Sequence, residues 1–230
     1  MSNIAIITAR GGSKRIPRKN IKDFLGKPII AYSIEIAVQS GLFDEIMVST
    51  DDKEIAEISV KYGAKVPFLR SHKNSDDTST MTDALVEVLD EYKKTGQQFN
   101  LASCIYPCSP LMRMEDLQQS ILNLQDDFIK SSFPIVAYSF PILRSLKIND
   151  EGFVEMNWKE YVDTRSQDLP KAYHLAGMFC SFNVDSFLDK KDLYYHSKPI
   201  VLDETDVQDI DNETDWKMAE LKWKLRHATV

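Results

Sequence analysis

The sequence is poor in cysteine, and its three, Cys104, Cys108 and Cys180, cannot all pair and have no metal-ligand partners at zinc spacing. That argues against a disulfide framework and for reduced thiols in a cytosol, with Cys104 in the core. No stretch approaches the roughly 18 apolar residues a membrane span requires, and the apolar start "IAII" is too short for a signal sequence and runs at once into a basic loop. A cytoplasmic protein without a membrane partner is expected. Positive charge is in deficit: 28 Lys and Arg against 35 Asp and Glu leave a net −7, which repels nucleic acid as well as anionic membrane surfaces. Two familiar phosphate signatures are missing as well. G-x-x-x-x-G-K-[ST] fails for want of a glycine at the right spacing before Lys14, and G-x-G-x-x-G is absent, which disfavours Walker ATPases and nicotinamide dehydrogenases. The four histidines are scattered without metal spacing, and no serine or cysteine has a recognisable nucleophile context. The nucleophile of any reaction should therefore come from the substrate.

What is present reads as one domain over residues 1–230, free of repeats and low-complexity tracts. Ile4 to Thr8 is a short apolar run of the kind that makes a strand buried on both faces, and a helix signal follows from Pro28 to Gly41. The alternation continues with strands at 45–50, 64–69, 101–106 and 178–184 and helices at 51–63, 81–96, 113–125 and 213–225. Such alternation implies a doubly wound α/β domain on a mostly parallel sheet. From Ser132 to Tyr173 the character changes to prolines and short alternating segments, "RSLKI" and "GFVEMNW", which read as hairpin strands standing off the sheet or as an insertion packed on its own subunit.

Two charged segments stand out. In "AIITARGGSKRIPRKN" (5–20), Arg10, Lys14, Arg15, Arg18 and Lys19 occur with no interleaved acid, directly after the first strand. Loops at strand carboxyl ends are where open α/β sheets bind ligands, and Gly11 and Gly12 allow backbone N–H groups close to phosphate oxygens. The loop is either a polyphosphate cradle or a solvated basic turn. In "LDETDVQDIDNETDW" (202–216), seven carboxylates fall among fifteen residues. If the segment is extended, Asp209 and Asp211 share a face about 6.5–7 Å apart, a spacing that suits Mg²⁺. The competing role is helix capping, since Asp211 or Asn212 directly precedes the last helix, and the residues alone favour the cap.

The stretches "ARGGSKRIPRKNI", "VSTDDKEIAE", "YGAKVPFLR", "YPCSPLMR" and "QDIDNETDW", in this order, resemble the cytidylyltransferases that activate nine-carbon acidic sugars, over nearly the whole chain. The family pattern A-R-x-x-S-K-x-x-P-x-K-N is met by Ala9, Arg10, Ser13, Lys14, Pro17, Lys19 and Asn20. Within the family, "RSQDLPKAYHLAG", Tyr106-Pro107 and "QDID" resemble the pseudaminic acid branch more than the N-acetylneuraminic acid branch.

The resemblance implies a fold of the nucleotide-diphospho-sugar transferase type with a protruding β-hairpin dimerisation arm over 132–173. It implies that Arg10, Gly11, Gly12, Ser13, Lys14 and Lys19 hold the triphosphate of CTP, with Asn20, Arg70 and Thr80 near the cytidine. Asp209 and Asp211 would bind Mg²⁺, overturning the cap. Arg165 would face the sugar carboxylate, with Tyr106, Tyr194 and Tyr195 shaping the sugar pocket, and the chain would work as a homodimer. Arg10, Lys14, Lys19, Asp209 and Asp211 would carry the catalysis. The alternatives are synthetases for N-acetylneuraminic or legionaminic acid and, from another class, a non-catalytic nucleotide-binding module.

Overall fold

The computed structural model describes residues 2–76 and 78–228. In the first strand, β1 (Asn3–Thr8), Ile4, Ala5, Ile6 and Ile7 are all fully buried. Successive strand residues face opposite sides, so Ala5 and Ile7 join one core while Ile4 and Ile6 join another. An unbroken apolar run is what a strand covered on both faces needs.

A small hairpin of β2 (Asp23–Phe24) and β3 (Lys27–Pro28) leads into α1 (Ile29–Ser40), followed by β4 (Glu45–Ser49), α2 (Lys53–Lys61), α3 (Met81–Lys94), β5 (Leu101–Ile105) and α4 (Met114–Asn123). The second half contains β6 (Ser131–Ala137), a hairpin of β7 (Leu146–Ile148) and β8 (Val154–Met156), then β9 (Tyr173–Leu175), β10 (Phe179–Asn183), α5 (Val184–Lys190), β11 (Ser197–Leu202) and α6 (Glu213–His227). The main sheet has the order β11-β6-β10-β5-β1-β4, with β9 also paired to β6. All strands of that path run in one direction except β10, which lies antiparallel between β5 and β6. Ile30 and Ile34 of α1, Ile55 of α2 and Leu117 of α4 cover one face, and Leu85 and Val88 of α3 with Phe187 of α5 cover the other. This is the doubly wound, mostly parallel α/β sheet expected. Among the described residues, no helix is long and apolar enough to cross a membrane.

Three expectations need correction. The strand at 64–69 shrinks to one bridge between Lys65 and Met47. Lys65 donates to Ile46 O at 2.8 Å and accepts from Val48 N at 2.9 Å, but Pro67 has no N–H to continue the ladder. The excursion is shorter than 132–173, because residues 131–137 are strand β6 inside the main sheet and 173–175 are β9, paired to it. Pro134 argues against a central strand, yet it sits where β6 changes partner, from β10 at Ser131 and Ser132 to β9 at Ile135 to Ala137. Residues 138–172 leave the sheet and carry the β7–β8 hairpin, Leu146 opposite Met156. Finally, α5 and the edge strand β11, which contains Pro199, were not expected at all.

A third apolar cluster positions the charged segments. Ile16 of the basic loop and Ile210 of the acidic segment, each 1% exposed, pack with Phe24, Tyr32 and Trp216. The two segments are thus pinned together by burial before any charge is considered.

Candidate active site

At the carboxyl ends of β1 and β5 the loops part around a cleft of about 550 Å³. Arg10, Ser13, Lys14, Lys19, Asn20, Arg70, Thr80, Tyr106, Asp209 and Asp211 all line it. The chain folds so that a basic wall from the loop after β1 faces an acidic wall from the segment before α6.

On the basic side, Asn20 is buried, and its side-chain amide donates to Arg10 O at 2.9 Å, closing the loop on itself. Arg10 reaches across to Asp76 O at 3.1 Å. Lys19 Nζ donates to Ile210 O at 2.6 Å and stands 4.0 Å from Asp211, and Arg15 is ion-paired to Asp211 at 3.0 Å. Gly11 and Gly12 fall outside the lining. The Gly11 N–H is taken by Asp51 at 2.9 Å, and a Cβ there would come within 2.9 Å of Asp52 Oδ2, so this glycine is required by the approach of Asp52. Arg18, counted with the polyphosphate cations in the sequence, turns away. It adopts a left-handed conformation (φ 55°) and pairs with Asp52 and Glu54, an arrangement that lowers the Asp52 pKa, chiefly through the Arg18 hydrogen bond.

On the acidic side the capping question is resolved by the hydrogen bonds. Asn212 is the N-cap of α6, accepting from Thr214 N and Asp215 N, while Asp215 reaches back to the Asn212 N–H in a capping box. The Asp211 carboxylate takes no part in it. Asp209 has its pKa raised, first by desolvation against the cleft walls and then by the neighbouring Asp211 charge. Gly177, at φ 66°, lies beneath Asp209, where a Cβ would stand 3.1 Å from the Asp209 carboxyl carbon. Gly177→Ala therefore meets both backbone strain and a displaced Asp209. It is expected to cut turnover at least about tenfold by shifting a reacting-site group, checked by steady-state rates beside a thermal melt.

Arg70 is held by Ser49, its Nε donating to Oγ at 2.9 Å and a terminal nitrogen to the carbonyl at 2.6 Å, and burial lowers its pKa. Thr80 caps α3 in a capping box with Asp83. Tyr106 stands between the main cleft and a smaller apolar recess lined also by Phe133, Leu175, Cys180 and Tyr194. Tyr195 lies outside both, its ring against His196 and Lys190, and Arg165 is exposed on the excursion, also outside both. Burial pushes the thiols of Cys104 and Cys108 up to about 12, so neither is an activated nucleophile.

The sequence reading passed over Asn74, Asp76 and Ser79, which close the cleft beside Arg70. The polar run "HKNSDDTST" ahead of a capping box was the available signal. Hydrogen bonds from Ser79 and Thr78 hold the Asp76 carboxyl down to about 2.

A doubly wound sheet with a basic loop after the first strand, opposed across the cleft by an acidic pair, defines an α/β protein with a charged ligand cleft at the carboxyl ends of its strands. The chain belongs to the cytidylyltransferase family, whose model matches residues 4–201. It is 42% identical over 230 residues to the pseudaminic acid cytidylyltransferase of Campylobacter jejuni subsp. jejuni serotype O:23/36 (strain 81-176), covering 100% of this chain and 99% of that protein. To the CMP-N,N'-diacetyllegionaminic acid synthase of Legionella pneumophila subsp. pneumophila (strain Philadelphia 1) it is 31% identical, with both chains fully covered. Among solved structures, a CMP:2-keto-3-deoxy-manno-octonic acid synthetase complexed with CTP superposes with a TM-score of 0.72 at 17% identity, covering 98% of this chain and 100% of that one.

Proposed function

We propose that this protein transfers the cytidylyl group of CTP to pseudaminic acid, giving the CMP-sugar and pyrophosphate. The observation that carries the reading is the 42% identity over the full chain, set on a cleft whose basic and acidic walls face each other. The anomeric hydroxyl of the sugar attacks the α-phosphorus in line and gives up its proton to solvent, the bond to the bridging oxygen of the β-phosphate breaks, and pyrophosphate leaves toward the basic loop. Little covalent work falls to the protein in such a transfer; positioning and charge neutralisation do most of it. Arg10, Ser13, Lys14 and Lys19 line the cleft where the triphosphate would lie, and Asn20, Arg70 and Thr80 line the part assigned to cytidine.

Asp209 and Asp211 fit a divalent cation: both line the cleft, neither carboxylate caps α6, and the Asp209 pKa is raised by desolvation and then by the neighbouring Asp211 charge. They would hold Mg²⁺, which supplies charge neutralisation at the reacting phosphate when bound. Tyr106 and Tyr194 border the recess assigned to the sugar. In a pyrophosphate-release assay, CTP with pseudaminic acid should turn over faster than CTP with N-acetylneuraminic or legionaminic acid. Equal or better turnover with N-acetylneuraminic acid removes the branch assignment and leaves cytidylyl transfer intact.

The protein acts in the cytoplasm as a two-fold dimer, with the excursion 138–172 as its arm. The support is physical: Phe140, Ile148, Phe153 and Val154 are 83, 75, 67 and 64% exposed, an apolar face a partner subunit would cover. Arg165 lies outside the cleft of its own chain, so its approach to the sugar carboxylate would be made in the partner's cleft. Mixed dimers of Arg165→Ala and Lys19→Ala should then regain one intact site and exceed both parents in activity. No recovery despite demonstrated subunit exchange places Arg165 in cis.

A further inference from the structure

The acidic segment 203–212 has no strand and no α-helix of its own, only a 3-10 turn at Glu204–Asp206, so its carbonyls need partners from elsewhere. Two are supplied by one side chain. Lys222 of α6 donates to Glu204 O at 2.8 Å and to Val207 O at 2.6 Å. The same turn is gripped at Asp206, whose two oxygens accept from Arg113, at the start of α4, and from Arg226 of α6, each at 2.9 Å. Both arginines are themselves fixed, Arg113 by Asp116 at 2.8 and 2.9 Å and Arg226 by Leu111 O at 2.8 Å. Val207 and Ile210 are buried on either side of the exposed Asp209. Beyond them, Lys19 holds Ile210 O from across the cleft.

We propose that Lys222 and Asp206 are positioning residues for the Asp209–Asp211 pair, fastening the backbone of their segment to α6 and α4 so that both carboxylates are presented to the cleft at a fixed spacing. The inference rests on reading that pair as a divalent-cation site. The physical ground is that a short acidic loop without ladder hydrogen bonds samples many carboxylate separations, whereas a cation selects one. Two charge-assisted bonds to the carbonyls and two to Asp206 remove that freedom before the cation arrives. Burial lowers the Lys222 pKa, and the nearby charge of Glu204 opposes that only in part.

The test uses the full-length protein and Mn²⁺ as the probe, its binding read from the free-ion EPR signal without nucleotide or sugar. Lys222→Met should weaken Mn²⁺ binding about tenfold, as loss of groups supporting metal ligands does, and Asp206→Asn, which keeps the size of the side chain, about threefold. Lys222→Arg, which keeps a charged donor, should restore part of the affinity. In pyrophosphate release, the Mg²⁺ needed for half-activity should rise in step while the rate at saturating Mg²⁺ stays within about twofold. A merely structural tie predicts a lower melting temperature with unchanged Mn²⁺ affinity. That outcome, in Asp206→Asn and in a folded Lys222→Met, overturns the proposal. Asp209→Asn separates the two levels: if it weakens Mn²⁺ binding while Lys222→Met and Asp206→Asn do not, only the positioning role falls. Unchanged Mn²⁺ binding in Asp209→Asn removes the cation site and the positioning role with it.

Discussion

Asp211→Asn should lose at least about 10²-fold of its activity at low millimolar Mg²⁺ and recover part of it as Mg²⁺ is raised, with its melting temperature nearly unchanged. The substitution keeps the size of the side chain and deletes one charge. Were Asp211 a helix cap, asparagine would cap as well and the change would be silent. In the structure Asn212 is the cap, so the Asp211 carboxylate adds nothing to the end of α6. Its partners are Arg15 at 3.0 Å and Lys19 at 4.0 Å, an exposed arrangement worth little to stability. The function left for it is the cleft. A Mg²⁺ titration of initial rates beside a thermal melt decides the matter, and full activity at low Mg²⁺ would return Asp211 to a passive surface role.

Lys19→Ala should lower kcat/KM for CTP by about 10²-fold or more, the scale on which loss of one charge-stabilising donor is felt in a water-poor site. Lys19 has two connections rather than one. Its ammonium lines the cleft, and it also donates to Ile210 O, the carbonyl between the two aspartates. Removing it therefore takes a cation from the basic wall and a tether from the acidic wall together. The variant should need more Mg²⁺ as well as more CTP. Lys14→Ala, on the same wall, is expected to change the CTP requirement with a smaller change in the Mg²⁺ requirement. Initial rates over a grid of CTP and Mg²⁺ concentrations separate the two effects, and an unchanged rate in Lys19→Ala refutes its role.

Much of the fold was legible because burial on both faces forces a pattern that local sequence shows. Ile4 to Ile7 can be little other than a central strand, and the helices at α2 and α3 announce themselves by apolar spacing, while their caps at Asp52 and Thr80 emerge only in the structure. Strand β6 was not legible, because Pro134 breaks the local rule and is tolerated only through a change of partner strand that depends on β9 and β10. The basic loop was legible as a charge pattern, but the direction of each side chain was not. Arg18 turns to Asp52 and Glu54, 34 and 36 residues away, an encounter that no local spacing encodes. The acidic pair was legible only as a choice between a cap and a cation site, which the hydrogen bonds at Asn212 then narrowed. Lys222 could not be read at all, since its partners are backbone carbonyls, and those leave no mark on the sequence.

The most direct test of cytidylyl transfer is ³¹P NMR of the full-length protein with CTP, Mg²⁺ and pseudaminic acid. The expected spectrum shows one phosphodiester resonance of a CMP-sugar growing in step with one equivalent of pyrophosphate, with no change when the sugar is left out. Growth of CDP with a phosphorylated sugar, or of pyrophosphate and CMP without sugar, would contradict attack of the sugar hydroxyl on the α-phosphorus.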